Sequence, residues 1–283
     1  MAQGTLYLCA TPIGNLGDMS PRIRETLSQV DLIAAEDTRN SIRLLNHFEI
    51  HTPMTSYHEY NKVEKAYALI EKMKEGDDIA LITDAGTPAI SDPGEVLVKM
   101  CQEAGITVTS LPGPAACITA LTLSGLPTRR FCFEAFLPAD KKERQLILED
   151  LKVEKRTIIL YEAPHHLIKT LQLLFDTLGD RRITICRELT KKFETVMPTT
   201  LAEALSYYEG NEPRGEYVLV IEGKSQEEVL ADQRAVFEEM TIEEHMALYE
   251  DRGMDHKEAM KAVAKDRGIS KREVYNYLIN VKK

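Results

Sequence analysis

Short apolar runs that end in glycine- and proline-rich loops constrain this chain most. Two such loops, L-I-T-D-A-G-T-P-A-I-S-D-P-G at 81–94 and S-L-P-G-P-A-A at 110–116, each follow a β-type run and precede a helical pattern. A third, A-T-P-I-G-N at 10–15, follows the first apolar run. Strand, tight loop and helix in repeated succession make a parallel α/β sheet, and its ligands sit in crevices at the carboxyl ends of the strands. Glycine lets backbone approach a ligand closely, and proline holds a loop in one shape. Three loops of this kind in one domain point to a site for a small, flexible ligand.

The rhythm of the first 125 residues supports a doubly wound α/β domain. Strands are expected at 5–10, 32–35, 79–83 and 107–111. The run at 79–83 is apolar throughout, as a central parallel strand should be. Helices are expected at 41–48, at 62–75 closed by Gly76, and at 115–124 closed by Gly125. Ser20 with Pro21 opens another helix, and Asp92, Pro93 and Glu95 open one that stops at Gly105. L-P-T-R-R at 126–130 breaks this rhythm and reads as a hinge. Residues 126–223 then read as a second, mixed α/β domain, with strands at 131–134, 157–161, 183–187, 194–197 and 217–222. Its helices are expected at 141–151, 165–178 and 201–208. The charged stretch 224–240 reads as a linker or surface helix, and 241–283 as a small helical domain.

In that last domain a helix at 258–266 carries Ala259, Ala262 and Val263 on one face. Gly268 ends it, Ile269 anchors the turn, and Ser270 caps a second helix with Val274, Tyr275 and Leu278 at helical spacing. The pattern matches a helix-turn-helix. Lys257, Lys261, Lys265, Arg267, Lys271, Arg272, Lys282 and Lys283 face only Glu258, Asp266 and Glu273, a local charge of +5 in a chain whose net charge is −10. That fits a nucleic-acid contact surface, or a solvated bundle used for packing. The acidic total of 45 Asp and Glu against 35 Lys and Arg excludes a bulk polyanion binder and leaves local basic spots. Arg129-Arg130, Lys141-Lys142 with Arg144, and Lys191-Lys192 are further spots.

The 5 cysteines are scattered without a C-x-x-C, which suits buried thiols in a reducing cytoplasm rather than a disulfide framework. No secretory leader pattern is visible, and no apolar run approaches the ~20 residues of a membrane helix. A soluble cytoplasmic protein is expected. The chain has no G-x-G dinucleotide fingerprint and no G-K-[ST] P-loop. It also has no H-E-x-x-H and no clustered Cys/His metal set.

Seven segments together carry a family resemblance: L-Y-L-C-A-T-P-I-G-N-L-G-D (6–18), D-L-I-A-A-E-D-T-R (31–39), the loop at 81–94, L-P-G-P-A-A-C-I-T-A-L (111–121), G-L-P-T-R-R-F-C-F-E-A-F-L-P (125–138), R-E-L-T-K (187–191) and R-G-E (214–216). On these the chain resembles the tetrapyrrole methylase-like superfamily of S-adenosylmethionine-dependent methyltransferases. Within it, the resemblance is strongest to the branch that methylates a cytidine ribose 2′-oxygen in the decoding region of 16S ribosomal RNA. The resemblance implies two α/β domains with the cofactor folded into the cleft between them, a homodimer, and the small ribosomal subunit as partner. It places the cofactor against Pro12, Asp84, Ala85, Gly86, Thr87, Ile90, Ala115 and Ala116, and against Tyr161, Glu162 and Gly215 of the second domain. Small side chains at 85–87 and 115–116 suit backbone hydrogen bonding to such a ligand.

A ribose hydroxyl is a weak nucleophile at neutral pH, so a base must take its proton or a cation must favour the alkoxide. The candidates are Glu36, Asp37 and Arg39, then His58, Asp84, and Glu188 with Lys191. Lys191 near Arg187 could carry a lowered pKa and act as base, or could pair with Glu188 or contact a phosphate. The E-D-T-R stretch reads equally as a helix entry with a stabilising arginine, and Asp84 as the tie of its own loop. S-Y-H-E-Y-N (56–61), which holds His58, departs from the H-x-H-N of some relatives. Two alternatives stand beside the RNA reading: a methyltransferase for a small tetrapyrrole, and a metabolite-sensing DNA-binding regulator.

Overall fold

Strand β1 (Thr5–Cys9) lies one strand in from the edge of a five-stranded sheet in the computed structural model, which describes residues 3–281. The sheet order is β3-β2-β4-β1-β5, with β2 at Leu32–Ala35, β3 at Met54–Ser56, β4 at Ile79–Ile82 and β5 at Thr107–Leu111. All its pairs are parallel. β4 is buried on both faces, which is why its four residues are all apolar. Helices α1 (Pro21–Gln29), α2 (Thr38–His47), α3 (Lys62–Glu75) and α4 (Gly94–Glu103) make the crossovers. Cores lie on both faces of the sheet: Ile23, Leu27, Ile33 and Ile82 on one, Leu6, Leu69, Leu81 and Leu97 on the other.

Several helix boundaries have a local cause. Ser20 accepts a hydrogen bond from the Ile23 N–H, with Pro21 at the first helical position. Gly76 ends α3 in the left-handed conformation. Asp92 does not cap α4 directly: the helix begins one residue later than the sequence suggests, with Pro93 at the cap. Asp92 instead accepts from the Ile90 and Gly94 N–H groups and closes the preceding loop. β3 is a strand that the sequence reading lacks, because three residues give no measurable alternation.

Helix α5 (Ala116–Leu123) follows β5. It is apolar nearly all round, yet only one of its sides is buried, and Ile118 and Leu123 remain exposed. Cys117, Ala120 and Leu121 share a core with Ile159, Cys186, Val218 and Val220 of the second sheet. That sheet has the order β6-β7-β10-β8-β9, with β6 at Phe131–Phe133, β7 at Thr157–Glu162, β8 at Arg182–Arg187, β9 at Thr195–Thr200 and β10 at Tyr217–Ile221. Only β6 and β7 pair in parallel; the other pairs are antiparallel. Its opposite face is covered by α6 (Lys141–Val153), α7 (Leu167–Leu178) and α8 (Leu201–Glu209), around Leu160, Leu171, Leu174 and Leu219.

The segment expected to be a hinge is fastened down. Leu126 is buried, Thr157 donates from Oγ1 to the Pro127 carbonyl, and Thr184 donates to that of Ser124. Both sheets therefore belong to one compact unit that runs to Lys152 and resumes from Arg156 to Glu222.

The second unit comprises Val153–Lys155 and Gly223–Lys283. The stretch read as a linker or surface helix is the helix α9 (Gln226–Glu239), opened by a Ser225–Glu228 capping box. A helix absent from the sequence reading follows, α10 (Ile242–Glu250), with its own capping box from Thr241 and Glu244. Then come α11 (His256–Arg267), closed by left-handed Gly268, and α12 (Lys271–Val281). Ile242, Met246, Ala259, Met260, Val263, Ala264 and Val274 form the core, with Ile269 and Leu278 packed on it. Tyr275 is 53% exposed, so it lies off the face that the sequence spacing assigned to it. Arg267, counted above as contact surface, is a strut: its guanidinium donates to His245 Nδ1 and to the Met240 and Thr241 carbonyls. Lys282 and Lys283 lie outside the described residues. Among the described residues no helix is long and apolar enough to cross a membrane.

Candidate active site

The three loops that stood out in the sequence meet at the carboxyl ends of β1, β4 and β5. Thr11 and Gly86 exchange two backbone hydrogen bonds, of 2.9 and 3.1 Å. Thr11 also donates from Oγ1 to the Thr83 carbonyl, and Thr87 from Oγ1 to the Pro114 carbonyl. Each loop is thus stapled to another, and their shapes are set before any ligand arrives. Gly86 is required where it stands. Its φ is +88°, and a Cβ there would lie 3.2 Å from the Ile13 side chain.

These loops form one wall of a cavity of about 540 Å3, within the size range of small-molecule sites. The other wall comes from the ends of β7 and β8, the start of β10 and the loop after β6. Four of the five non-glycine residues with positive φ lie on the segments around this cleft: Ala89, Ala135, Glu188 and Thr190. Such backbone is costly and persists where surrounding contacts over-determine it, which is common at functional sites.

Of the residues singled out in the sequence, Glu36, Asp84, Ala85, Gly86, Thr87, Ile90, Ala115, Ala116, Tyr161, Glu162, Glu188 and Lys191 all line the cleft. Pro12, Arg39, His58 and Gly215 are not on its wall. Arg39 is held outside by Asp37, which caps α2 and receives the Arg39 backbone N–H, Nε and Nη2. The Arg39 guanidinium pulls the Asp37 carboxyl down to about 2. This is the helix-entry arrangement that the E-D-T-R stretch allowed. His58 follows β3, with its backbone N–H on the Asn61 side chain. Gly215 lies behind the wall and makes room for Glu188, whose Cγ and Cδ would be 2.6 Å from a Cβ at that position.

Lys191 is not the depressed base that its nearness to Arg187 suggested. Its Nζ lies 2.9 Å from Glu188 Oε1 and 2.7 Å from Glu216 Oε2. Burial pushes its pKa down, but the hydrogen bonds and charges of the two carboxylates win and raise it. Burial pushes Glu188 up, while the Glu216 N–H and the Lys191 ammonium bring it below the ordinary carboxylate value. The lysine stem lies across Gly14, where a Cβ would come within 2.3 Å of Lys191 Cγ. Two glycines from different loops therefore shape the slot in which this ion triad sits.

On the opposite side, Glu36 Oε2 accepts from Thr83 Oγ1 at 2.5 Å. Asp84 does not tie its own loop; it receives the side-chain amide of Asn40 from α2, at 3.3 Å. Partial burial raises its pKa, and the charges of Glu36 and Asp37 add to the rise. Glu162 is committed within the fold, accepting from Thr170 Oγ1 and the Ala163 N–H. Tyr161 receives the Cys117 N–H at its hydroxyl and is flanked edge-on by Phe133 and Phe136.

Ile13, Cys117, Phe136, Cys186, Glu216 and Val218 also line the cleft and were not singled out as site residues. Phe136 and Glu216 stand inside F-C-F-E-A-F and R-G-E, so motif membership could have found them. Cys117 and Cys186 sit in apolar runs, where nothing separates a pocket floor from a core.

Among the described residues the cleft wall carries Glu36, Asp84, Asp92, Glu162, Glu188 and Glu216 against the single cation Lys191, with an apolar floor of Ile13, Ala115, Ala116 and Val218. Such a surface disfavours a polyphosphate and suits a cationic ligand with a flat aromatic part. A sulfonium-bearing nucleoside such as S-adenosylmethionine fits it in charge, in size and in the close backbone approach at Gly86.

The family described as Tetrapyrrole (Corrin/Porphyrin) Methylases matches residues 5–205. Ribosomal RNA small subunit methyltransferase I of Synechocystis sp. is 47% identical over 273 residues, covering 96% of each chain. The protein of that name from Bacillus subtilis is also 47% identical over 273 residues, covering 96% of this chain and 93% of its own. Among solved structures, diphthine synthase is similar with a TM-score of 0.62 at 13% identity, covering 77% of this chain and 90% of that one. Uroporphyrin-III-C-methyltransferase from Thermus thermophilus follows at 0.55 and 17%, covering 77% of this chain and 94% of that one. At those identities the likeness is one of fold. The match to the family covers the first sheet, every strand of the second except β10, and the loops of the cleft up to the β8–β9 turn, so the chain belongs to the tetrapyrrole methylase family.

Proposed function

We propose that this protein transfers a methyl group from S-adenosylmethionine to the ribose 2′-oxygen of a cytidine in the decoding region of 16S ribosomal RNA. Its natural substrate is the small ribosomal subunit, and its working form is a homodimer. The observation that carries the reading is the near-full-length likeness to proteins named ribosomal RNA small subunit methyltransferase I. The acidic, backbone-rich cleft supports the choice of cofactor.

Gly86, Thr87, Ala115 and Ala116 would hold the cofactor by backbone groups, with Ile13, Ile90 and Val218 against its apolar parts. When bound, the cofactor supplies a methyl group made electrophilic by its sulfonium. The chain supplies orientation and proton handling. Much of the rate in such a displacement comes from holding donor and acceptor in contact. Asp84, an exposed carboxylate at the cleft mouth with a raised pKa, takes the hydroxyl proton on its Oδ. Lys191, kept charged by Glu188 and Glu216, places an ammonium where an alkoxide develops.

The test is transfer of a radiolabelled methyl group to small subunits lacking the modification, with the labelled nucleotide mapped. Label on a decoding-region 2′-oxygen is expected. Cofactor binding with no label on subunits or extracted RNA would overturn the RNA reading and favour a small-molecule acceptor.

A further inference from the structure

The loop that supplies Glu188, Leu189 and Lys191 to the cleft also has an outer side. Its backbone is rigid: the Glu188 N–H donates to the Glu216 carbonyl, the Lys191 N–H to the Glu188 carbonyl, and the Glu194 N–H to the Lys191 carbonyl. The Glu194 carboxylate closes the loop by accepting the Thr190 N–H at 2.6 Å. At the tip, Lys192 and Phe193 project away from the core. Phe193 is 64% exposed, and the Lys192 ammonium lies 5.6 Å from its ring centroid.

At the base of the same hairpin is Arg187, the last residue of β8, paired in register with Thr195. It is half-buried, yet its guanidinium makes no hydrogen bond or ion pair among the described residues, and its Nε is sealed from solvent without an acceptor. Partly buried charges are ordinarily paired. The vacancy is more telling in a chain with 45 acidic residues, because four carboxylates stand on the two adjoining loops and each is committed elsewhere. Glu188 and Glu216 hold Lys191, Glu194 holds the Thr190 amide, and Glu212 holds Arg214. No carboxylate comes within hydrogen-bonding distance of Arg187, although its charge helps to lower the pKa of the adjacent Glu188.

We propose that this hairpin, through Arg187, Lys192 and Phe193, grips single-stranded RNA beside the nucleotide that enters the cleft. An unpaired guanidinium and a lysine suit two phosphates of the backbone. An exposed ring with a cation on it suits a base stacked out of its helix, the usual mode for unpaired RNA. The inner side of the loop lines the cleft while the outer side holds the neighbouring chain, which ties strand position to the reacting oxygen. This inference rests on the proposed RNA substrate.

The experiment uses the full-length protein with R187Q, K192Q and F193A, each measured three ways: affinity for a labelled decoding-region RNA fragment across a salt series, affinity for S-adenosylmethionine, and thermal midpoint. F193A is expected to weaken RNA binding about tenfold. R187Q and K192Q should each reduce the slope of log affinity against log salt by about 0.7. All three should leave cofactor affinity and the midpoint near wild type, since none loses an internal hydrogen bond or ion pair and the Lys192–Phe193 contact is exposed. RNA affinity and salt slope equal to wild type in all three variants, with wild-type methylation intact, would overturn the inference alone. A fall in RNA affinity matched by an equal fall in cofactor affinity and midpoint would also overturn it, since that marks a structural role. A wild-type protein that neither binds nor methylates RNA removes the substrate reading itself.

Discussion

Lys191 shows how one side chain can reverse an expectation drawn from its neighbours in sequence. Arg187 is four residues away, but it sits at the hairpin base, while two carboxylates from different loops reach the ammonium. The signs are definite. Lys191 has a raised pKa, so its ion pairs stabilise the fold below the ordinary lysine range and are lost as pH rises through the raised value. Glu188 has a lowered pKa, so its share is present above the ordinary carboxylate range and lost as pH falls through the lowered value. The triad is therefore intact throughout the neutral range, and Lys191 imposes no ionisation on the rate there. Lys191→Met is expected to lower kcat by about 10²–10³ without removing a limb of the pH–rate profile. Loss of an alkaline limb in that variant would restore the lysine to the role of base. Glu36 and Asp84, by contrast, were recognisable as cleft residues because they follow β2 and β4, and parallel strands deliver such positions to the same edge.

At the scale of elements, the strands and helices that carry strong local signals formed where the sequence placed them. Lys62–Glu75 and Thr107–Leu111 coincide with expectation to the residue, because Gly76 and Gly105 terminate what precedes or follows them. Elements that depend on partners were less legible. β3 exists because β2 offers it an edge, and α10 because α11 and α12 cover its apolar side. α10 also brings a pH-sensitive contact. His245 is fully buried, stacked on Phe237 and Tyr249, and accepts the Arg267 Nε. Burial lowers its pKa, and the Arg267 charge adds to the effect, against the opposing pull of Asp266. A histidine with a lowered pKa contributes stability above its ordinary value, and that stability is lost as pH falls through the lowered one. The helical unit is expected to melt at lower temperature as pH drops below about 6.5, followed by far-ultraviolet circular dichroism. His245→Gln, which keeps an acceptor for Arg267, should flatten that dependence. An unchanged acid limb in the variant would place its origin elsewhere.

For the molecule as a whole, the acidic balance and the local basic spots act together. A chain of net charge −10 repels RNA except where particular cations meet phosphates. Several of the basic residues picked out in the sequence are spent internally. Arg267 braces α10, and Arg144 donates to the Pro138 and Ala139 carbonyls just before α6. The remaining contacts are few. Affinity for the RNA fragment is expected to fall with salt at a log–log slope of about −3, as for roughly four phosphates. A slope near zero in binding titrations between low and moderate salt would contradict a phosphate-led grip.

The sequence by itself determined the alternation of strands and helices, the three crevice loops and most of the cleft wall. These follow from apolar period, capping residues and loop chemistry, all of which act over a few neighbouring positions. Only the tertiary structure decided that 126–130 is fastened rather than hinged, that α5 packs on the second sheet, and that Lys191 is paired while Arg187 is not. Each of those outcomes depends on groups far apart in the chain, and the energy of a charge depends on which of them arrives within hydrogen-bonding distance.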